Sequence, residues 1–167
     1  MTRLTRFRKQ KDSFFGSSPD SPISDRRTFR GLRYYDEDPA LVFEVEVQPA
    51  DGSEVLVQTS DGQERVYTRD GRVTLDFDGE EVALTLYGTG HGHGYFLPFR
   101  DATSGNETYG AGRYLDIDRS QRVTIDFNLA YNPFCAHNDA YSCPLPPVEN
   151  WLGVAVRAGE QAYTEDR

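Results

Sequence analysis

Cysteine, lysine, methionine and tryptophan are scarce in this chain of 167 residues, which contains two, two, one and one of them respectively. Two cysteines are too few for the disulfide-dense framework of a small secreted scaffold. No apolar run approaches the ~20 residues of a transmembrane helix, so we expect no membrane partner. The basic start of the chain also lacks the apolar segment of a signal peptide, and a cytoplasmic location is therefore expected.

Short motifs of the common catalytic sites are absent as well. The chain contains no nucleophile elbow, phosphate-binding P-loop, HExxH motif or dinucleotide fingerprint. No reaction is therefore assigned, and whether the chain is an enzyme is left open. Its length suits one domain over residues 1–167, with a core that its ten Tyr, ten Phe and one Trp can help to fill.

The charge is unevenly distributed, and the chain is acidic overall at −9. Residues 1–35 carry nine Arg or Lys against three Asp, which gives +6. The remainder carries nine Arg against 24 Asp or Glu, which gives −15, and both lysines lie in the first segment. Dense carboxylates keep a protein dispersed where salt screens their mutual repulsion. This composition favours a halophilic origin over an ordinary acidic protein.

The first 40 residues are predicted to form a helix followed by an irregular docking segment. Residues 2–15 read as a short basic helix, because their Leu and Phe residues recur at roughly helical spacing and a Gly-Ser-Ser-Pro sequence follows. Residues 16–40 are a Ser-, Pro- and Asp-rich loop that leads into aromatic residues. We expect these aromatic residues to pack on the body of the protein.

From residue 41 the hydrophobic pattern changes to the period of two that is typical of half-buried strands. Four Asp-Gly pairs follow, and this dipeptide favours tight hairpin turns. They occupy residues 51–52, 61–62, 70–71 and 78–79. The predicted strands cover residues 41–47, 54–59, 64–68, 72–77, 81–87, 95–99, 111–117, 122–127 and 151–157. We therefore predict a mainly β fold, an antiparallel meander forming a β-barrel or sandwich of about nine strands over residues 41–157, with an N-terminal helix.

Two long polar loops, residues 100–110 and 128–150, interrupt this meander, and a site is expected there. Arg100 and Arg113 are predicted to bind the carboxylate or phosphate of a small molecule. The other candidate ligand-binding residues supply hydroxyl, amide and carboxyl groups, and they are Thr103, Ser104, Glu107, Tyr109, Asn132, Glu149 and Asn150. The alternative is an ordinary turn, in which each arginine pairs with a neighbouring carboxylate and the glycines occupy tight bends.

Cys135 and Cys143 lie eight positions apart in the second loop, and three interpretations stay open. They are packed free thiols, a disulfide across the loop, or metal ligands together with His137. The metal site would have only three ligands, at a spacing that no common zinc motif uses. His91 and His93 lie in a glycine-rich loop, where exposed side chains are a simpler interpretation than a metal site. We therefore predict neither a metal nor a cofactor.

Three stretches carry a resemblance to a known family. They are Phe99-Arg100-Asp101-x-Thr103-Ser104-Gly105-x-Glu107-Thr108-Tyr109-Gly110-x-Gly112-Arg113-Tyr114-Leu115, then Asp126-Phe127-Asn128-x-Ala130-Tyr131-Asn132-Pro133-x-Cys135-Ala136, and Cys143-Pro144-Leu145-Pro146-Pro147 with Glu149-Asn150. The N-terminal Ser18-Pro19-Asp20-Ser21-Pro22 and Phe29-Arg30-Gly31-Leu32-Arg33-Tyr34 fit the same family, as does Ala158-Gly159-Glu160. On all these residues the chain resembles the Domain of Unknown Function 1684 family over nearly its whole length. The resemblance implies no activity, because that family has none assigned. It implies that both polar loops belong to a shared framework, which favours a common pocket, and it disfavours a metal role for His137.

Two functions from different classes follow. The first is a β-barrel that binds a small, possibly anionic molecule at a mouth where the two polar loops converge. The alternative is a non-catalytic structural or protein-interaction module whose loops only seal the barrel. Nucleic-acid binding by the basic N-terminus is disfavoured because the rest of the chain is strongly acidic, so no nucleic-acid partner is predicted. No oligomeric state follows from the sequence.

Overall fold

An N-terminal helix precedes the strands. The computed structural model describes residues 1–90 and 92–163. Helix α1 spans Arg3–Ser17, and the Thr2 hydroxyl caps its first turn by accepting a hydrogen bond from a backbone amide. The helix buries Phe15 in a small cluster with Ile23 and Leu32, so its apolar stripe docks on the segment that follows it. The N-terminal helix predicted from apolar spacing is confirmed. No helix in the described ranges is long and apolar enough to cross a membrane.

The described residues form eight strands, and all strand pairs are antiparallel. The strands are β1 (Val42–Glu46), β2 (Gln48–Pro49), β3 (Glu54–Gln58), β4 (Glu64–Phe77), β5 (Glu80–Gly88), β6 (Tyr95–Phe99), β7 (Arg113–Ile117) and β8 (Arg122–Asp126). β1 pairs with β8, and the other six strands form a second sheet in the order β2-β4-β5-β6-β7, with β3 also paired to β4. The predicted mainly β, antiparallel fold is confirmed. Over the described ranges the two sheets stay open and do not close into a barrel.

Two of the four Asp-Gly pairs do not form the predicted hairpin. Asp51-Gly52 connects β2 and β3, which both pair with β4 and not with each other. The hairpin predicted at Asp70-Gly71 is also wrong. The pair lies inside β4, where the register against β5 shifts just before Gly71, as in a β-bulge. The glycines of the other three pairs have positive φ, whereas a Cβ on Gly71 would lie 2.5 Å from Cγ1 of Val47. Glycine is therefore needed here for close packing. Because a one-residue bulge reverses the alternation of side chains, Tyr67 and Val73 contribute to different apolar clusters.

The main core draws side chains from both sheets. Its fully buried members include Val73, Leu75, Leu84, Leu86, Leu97, Phe99, Ile125 and Phe127. A smaller cluster of Val57, Tyr67 and Tyr87 packs with Phe96. Since all the residues of β5 from Leu84 onwards are buried, this strand is covered on both faces. The second polar loop supplies part of that cover, since its Asn150 side chain is hydrogen-bonded to Thr85 of this strand.

The strand predicted over residues 151–157 is also absent from the structure, where this stretch is irregular. Its backbone pairs with the first polar loop: the Leu152 amide donates to the Arg100 carbonyl at 2.7 Å, and the Ala102 amide donates to the Val154 carbonyl at 2.8 Å. The hydrogen bonds of the stretch are made to loop atoms, so the alternating pattern of the sequence does not produce a strand.

Candidate functional site

The first polar loop is organised around a buried arginine. Arg113 begins β7 and its side chain is fully buried. Its guanidinium lies 3.6 Å from the Asp101 carboxylate and donates hydrogen bonds to the carbonyls of Val156, at 2.8 Å, and Glu160, at 3.1 Å. Burial lowers the pKa of Arg113, and the Asp101 carboxylate opposes that shift. Arg113 therefore joins the loop to the C-terminal stretch, where no solvent reaches it.

The Asp101 carboxylate gathers the rest of the loop around itself. It accepts hydrogen bonds from the Thr103 hydroxyl at 2.9 Å and from the Val156 amide at 2.6 Å. The Thr103 and Thr108 hydroxyls are hydrogen-bonded at 2.9 Å, and the Ser104 hydroxyl contacts Asp101 at 3.3 Å. We call Asp101, Thr103, Thr108 and Arg113 the arginine clamp. Its hydroxyl groups are bonded within the protein and face no open site.

The remaining candidates of the first loop point to other partners. Glu107 forms an ion pair with Arg157 at 3.0 Å and accepts a hydrogen bond from the Tyr35 hydroxyl at 2.8 Å. Arg157 and Tyr35 lower the pKa of Glu107, while burial and Glu107 raise the pKa of Tyr35 to about 12. The Arg100 guanidinium lies over the Trp151 ring at 4.5 Å. The two arginines of the predicted anion site are thus held by different partners.

Two asparagines of the second polar loop bridge segments of backbone. The buried Asn150 side chain accepts from the Thr85 amide at 2.8 Å and donates to the Thr85 carbonyl at 2.9 Å and the Pro98 carbonyl at 3.0 Å, so it ties β5 to β6. The Asn132 amide side chain donates to the Gln161 carbonyl at 3.0 Å. Asn150 thus supplies buried hydrogen bonds between two strands, whereas Asn132 joins the loop to the C-terminal stretch.

Glu149 lies at the end of the same loop and contacts two strands. Its carboxylate forms an ion pair with Arg69 at 3.0 Å and accepts a hydrogen bond from the Tyr87 hydroxyl. Burial and Glu149 raise the pKa of Tyr87. Like Asn150, Glu149 holds the loop against the sheet.

Tyr109 contacts one of the two cysteines of the second polar loop. Its hydroxyl lies 3.6 Å from Sγ of Cys135, and the Cys135 amide donates to Sγ of Cys143 at 3.3 Å. Both cysteines are buried and free. Hydrogen bonding from the Cys143 and Tyr109 side chains lowers the pKa of Cys135 to about 6, against the effect of burial. The pKa of Cys143 is raised by its hydrogen bond to Cys135 and by burial.

His137 is held among aromatic side chains. His137 packs edge-on against Phe15 at 5.2 Å and Tyr163 at 4.9 Å, and its two ring nitrogens have no hydrogen-bond partner in the described part of the chain. Burial and Lys11 lower its pKa to about 4. His91 lies outside the described residues. Within the described ranges, no group of three His, Cys, Asp or Glu side chains could hold a metal ion.

An open groove of about 710 Å³ lies on the described surface. Six aromatic side chains line it, together with an arginine, a cysteine and four further residues. The lining residues are Tyr67, Phe96, Tyr114, Tyr131, Phe134, Tyr141, Arg65, Cys143, Val66, Thr89, Pro133 and Pro144. We call this feature the aromatic groove. None of the nine ligand-binding residues predicted from the sequence lines it.

The rings of the groove contact one another in series. Phe96 lies 5.9 Å from Tyr67 and 4.8 Å from Tyr114, and Tyr114 lies 5.7 Å from Tyr131, all in edge-to-face geometry. Farther along the second loop, Phe134 and Tyr141 form another edge-to-face pair at 5.2 Å. Such a series of rings offers faces and edges on which a planar apolar group can pack.

Polar atoms in the groove are few and mostly engaged. The Tyr114 hydroxyl donates to the Pro144 carbonyl, and the Tyr131 hydroxyl donates to the Asp116 carboxylate at 2.7 Å. The exposed Arg65 donates one hydrogen bond, to the Ser142 carbonyl at 2.6 Å, from a guanidinium that has further donors. Arg65 is the only Arg or Lys among the lining residues, and it supplies the positive charge of this surface.

Sequence reasoning missed the groove because its lining comes from separate parts of the chain. The bulge in β4 separates the face of Tyr67 from that of Val73, and the second polar loop brings Phe134 and Tyr141 to the same place. The one available signal was the abundance of tyrosine and phenylalanine, which the sequence analysis assigned to the core.

Comparison with known proteins relates the chain to proteins whose function is not described. Residues 27–161 match the model of a family described as "Protein of unknown function (DUF1684)". A solution NMR structure of an uncharacterised protein from the halophilic archaeon Haloarcula marismortui is 39% identical and has a TM-score of 0.73. The match covers 95% of this chain and 92% of that one. No curated protein matches the chain.

Proposed function

The chain belongs to the DUF1684 family of proteins of unknown function, and on that premise we propose that it binds a small planar molecule with an apolar ring system and an anionic group. The site is the aromatic groove. No catalytic residue is assigned, so the proposal is one of binding.

The observation that carries the proposal is the lining of the groove. A volume of about 710 Å³ suits a drug-sized molecule, since ligand pockets commonly measure ~300–1,000 Å³. A lining in which apolar and aromatic side chains predominate, with few convergent polar groups, is typical of such pockets. The rings of Phe96 and Tyr114 are held by their neighbours, so they lose little conformational freedom when a ligand packs on them.

The charge of the ligand follows from Arg65. This guanidinium stands at the groove in a part of the chain, residues 36–167, whose net charge is −15. Exposed carboxylates repel an anion, so a local arginine is needed to hold one, and a guanidinium binds carboxylate or phosphate through two parallel hydrogen bonds. The proposal keeps the anionic ligand expected from the sequence, but it assigns the binding of the anionic group to Arg65 instead of Arg100 and Arg113.

The arginine clamp favours a second candidate, a non-catalytic structural or protein-interaction module. Arg113, Asp101 and Asn150 are buried and bonded to backbone groups, as expected of side chains that seal an end of a fold. If this second function is correct, the aromatic groove binds either a segment of another protein or no ligand at all. The cytoplasmic location and the absence of a nucleic-acid partner remain predictions from the sequence.

Anilinonaphthalene sulfonate is a suitable probe, because it joins an aromatic ring system to one anionic group. We expect a saturable rise of its fluorescence with one site per chain. Arg65→Gln should weaken binding about threefold to tenfold, since the lost contact is an exposed charge pair. Arg72→Gln is the matched control, because Arg72 is an exposed arginine on the same strand that does not line the groove.

Titrations of the folded wild type and both variants decide the proposal. Their circular dichroism spectra should first be shown to be the same. Non-saturating fluorescence, or equal affinities of the two variants, would contradict an anion site at Arg65. Added salt should weaken wild-type binding toward that of Arg65→Gln, because salt screens the charge and leaves the apolar contacts.

A further inference from the structure

Cys135 and Cys143 lie together inside the second polar loop, and neither the proposed ligand nor the arginine clamp uses them. The Cys135 amide donates to Sγ of Cys143 at 3.3 Å. That amide nitrogen is two bonds from Cβ of Cys135, so the Cys143 sulfur lies beside the Cys135 side chain. The free thiols of this pair are thus close neighbours before any reaction takes place.

Both cysteines are held in place by their surroundings. Cys135 lies in a single 3-10 turn, Phe134–Ala136, and the Tyr109 hydroxyl contacts its sulfur at 3.6 Å. The Cys143 amide donates to the Ser60 hydroxyl at 3.0 Å, and its carbonyl accepts from the Ser60 amide at 2.9 Å. The side chains are therefore positioned by two separate sets of bonds.

The pair has a route to solvent. Both cysteines are buried, but Cys143 lines the aromatic groove, which is open to solvent. A molecule as small as hydrogen peroxide can enter such a site, whereas the thiol of another protein cannot. This access separates the pair from thiols that are only packed in a core.

We propose that Cys135 and Cys143 form a peroxide-reactive dithiol, in which Cys135 attacks the peroxide and Cys143 resolves the product into a disulfide. The Cys143 sulfur lies beside the Cys135 side chain, Tyr109 can donate to the Cys135 sulfur, and the groove brings the oxidant as far as Cys143, next to the attacking residue. The proposal stands apart from the proposed ligand, because it requires no occupant of the groove.

The reaction is balanced with hydrogen peroxide as the oxidant. The Cys135 thiolate attacks one peroxide oxygen, the O–O bond breaks, and the departing hydroxide is protonated to water. Cys135 is then a sulfenic acid. The Cys143 sulfur attacks the Cys135 sulfur, the S–O bond breaks, and the departing hydroxide takes the Cys143 proton as a second water. Two thiols lose two electrons in total, and one peroxide becomes two waters.

Cys135 has the lower pKa of the two cysteines, as the attacking role requires. Hydrogen bonding from the Cys143 and Tyr109 side chains lowers the pKa of Cys135 to about 6, so at neutral pH it is largely the thiolate that attacks peroxide. The pKa of Cys143 is raised, so Cys143 stays a thiol that can supply the proton for the departing hydroxide. The other titratable groups around the pair are Tyr114, Asp139 and Arg65.

The first test is the intact mass of the full chain after a small excess of hydrogen peroxide, followed by denaturation and alkylation of the remaining thiols. We expect a product two hydrogens lighter than the reduced chain, with no alkyl group attached. Full alkylation of both thiols, or direct formation of sulfinic acid without a disulfide, would overturn the proposal.

The second test uses single variants and dimedone, which labels sulfenic acid. Cys143→Ser should accumulate a dimedone adduct on Cys135, because the resolving thiol is missing. Cys135→Ser should react at least about tenfold more slowly with peroxide, because burial keeps the remaining Cys143 thiol largely protonated at neutral pH even without Cys135. Equal rates in the two variants would overturn the assigned roles. The wild-type mass measurement decides the proposal if either variant fails to fold.

Discussion

The arginine clamp and the aromatic groove are built on opposite principles. The clamp is polar, fully enclosed and bonded within itself: Arg113 and Asp101 are buried and meet each other and the backbone. The groove is mostly apolar and open, and its tyrosine hydroxyls are turned to protein partners. The region richest in hydrogen-bonding residues is therefore closed, and the region with few of them is accessible.

This contrast changes what a polar sequence segment indicates. Residues 100–110 contain arginine, threonine, serine and glutamate because a loop that crosses the end of a sheet must satisfy buried backbone groups. A binding surface needs a different property, namely exposed apolar area next to one or two charged groups. The groove meets that need with rings from β4, β6, β7 and the second polar loop.

The largest expected effect is the loss of the clamp in Arg113→Ala. The change leaves the Asp101 carboxylate buried without its positive partner and removes donors from the carbonyls of Val156 and Glu160. We expect the free energy of unfolding to fall by about 3–5 kcal/mol, which corresponds to a melting temperature lower by on the order of 10 °C. Thermal unfolding followed by circular dichroism measures it.

Arg100→Ala is the matched control for the clamp. Arg100 is half-buried and lies over the Trp151 ring, so its loss should cost about 1 kcal/mol or less. If both variants lowered the melting temperature equally, the distinction between an enclosed and a peripheral arginine would be wrong. A stable Arg113→Ala variant with altered probe binding would return Arg113 to the ligand site predicted from the sequence.

An intermediate effect is expected from pH, through His137 in the loop that lines the groove. Burial, with Lys11, lowers its pKa from 6.5 to about 4 in the folded chain. Between these values the unfolded chain binds more protons, so folding stability should decrease as the pH falls from about 6.5 to about 4. The expected loss from this group is on the order of 3 kcal/mol.

His137→Phe is the control for this titration, because an aromatic side chain keeps the contacts with Phe15 and Tyr163. Other groups also titrate in this range, so the informative quantity is the difference in unfolding free energy between wild type and variant at each pH. That difference should grow as the pH is lowered. A difference that is constant with pH would show that His137 is not held neutral by burial.

The smallest effect on stability, and a selective one on binding, is expected for Tyr141→Ala. Tyr141 is half-buried at the groove, where its ring contacts Phe134. Its removal should cost about 1 kcal/mol or less in stability and weaken anilinonaphthalene sulfonate binding about fivefold. Trp151→Ala removes an aromatic residue that does not line the groove, and it should leave binding unchanged. Equal loss of binding in both variants would mean that the probe reports general apolar surface.

Most of the fold could be predicted from local pattern. The period of two, the turn glycines with positive φ and the apolar stripe of the first helix each depend on residues close together in the chain. Two of the errors have identifiable non-local causes. Gly71 is set by its contact with Val47 from another strand, and residues 151–157 find their hydrogen-bond partners in the first polar loop. Neither contact can be recognised from the sequence pattern around the residues concerned.

The candidate site was harder to predict than the fold. The residue types of the two polar loops were identified correctly, but residue type does not say whether Arg113 faces solvent or a buried carboxylate. The same holds for the thiols, since the eight-residue spacing of Cys135 and Cys143 allowed three interpretations. In the structure both thiols are free, and Cys143 lines the aromatic groove.

The sequence by itself determined the strand-rich antiparallel class, the N-terminal helix and membership of the family, because these depend on short-range periodicity and on long runs of identical residues. Only the tertiary structure decided which polar residues are enclosed and which aromatic residues are exposed. Burial depends on how distant segments pack, and a single bulge in β4 is enough to reverse the face on which a side chain lies.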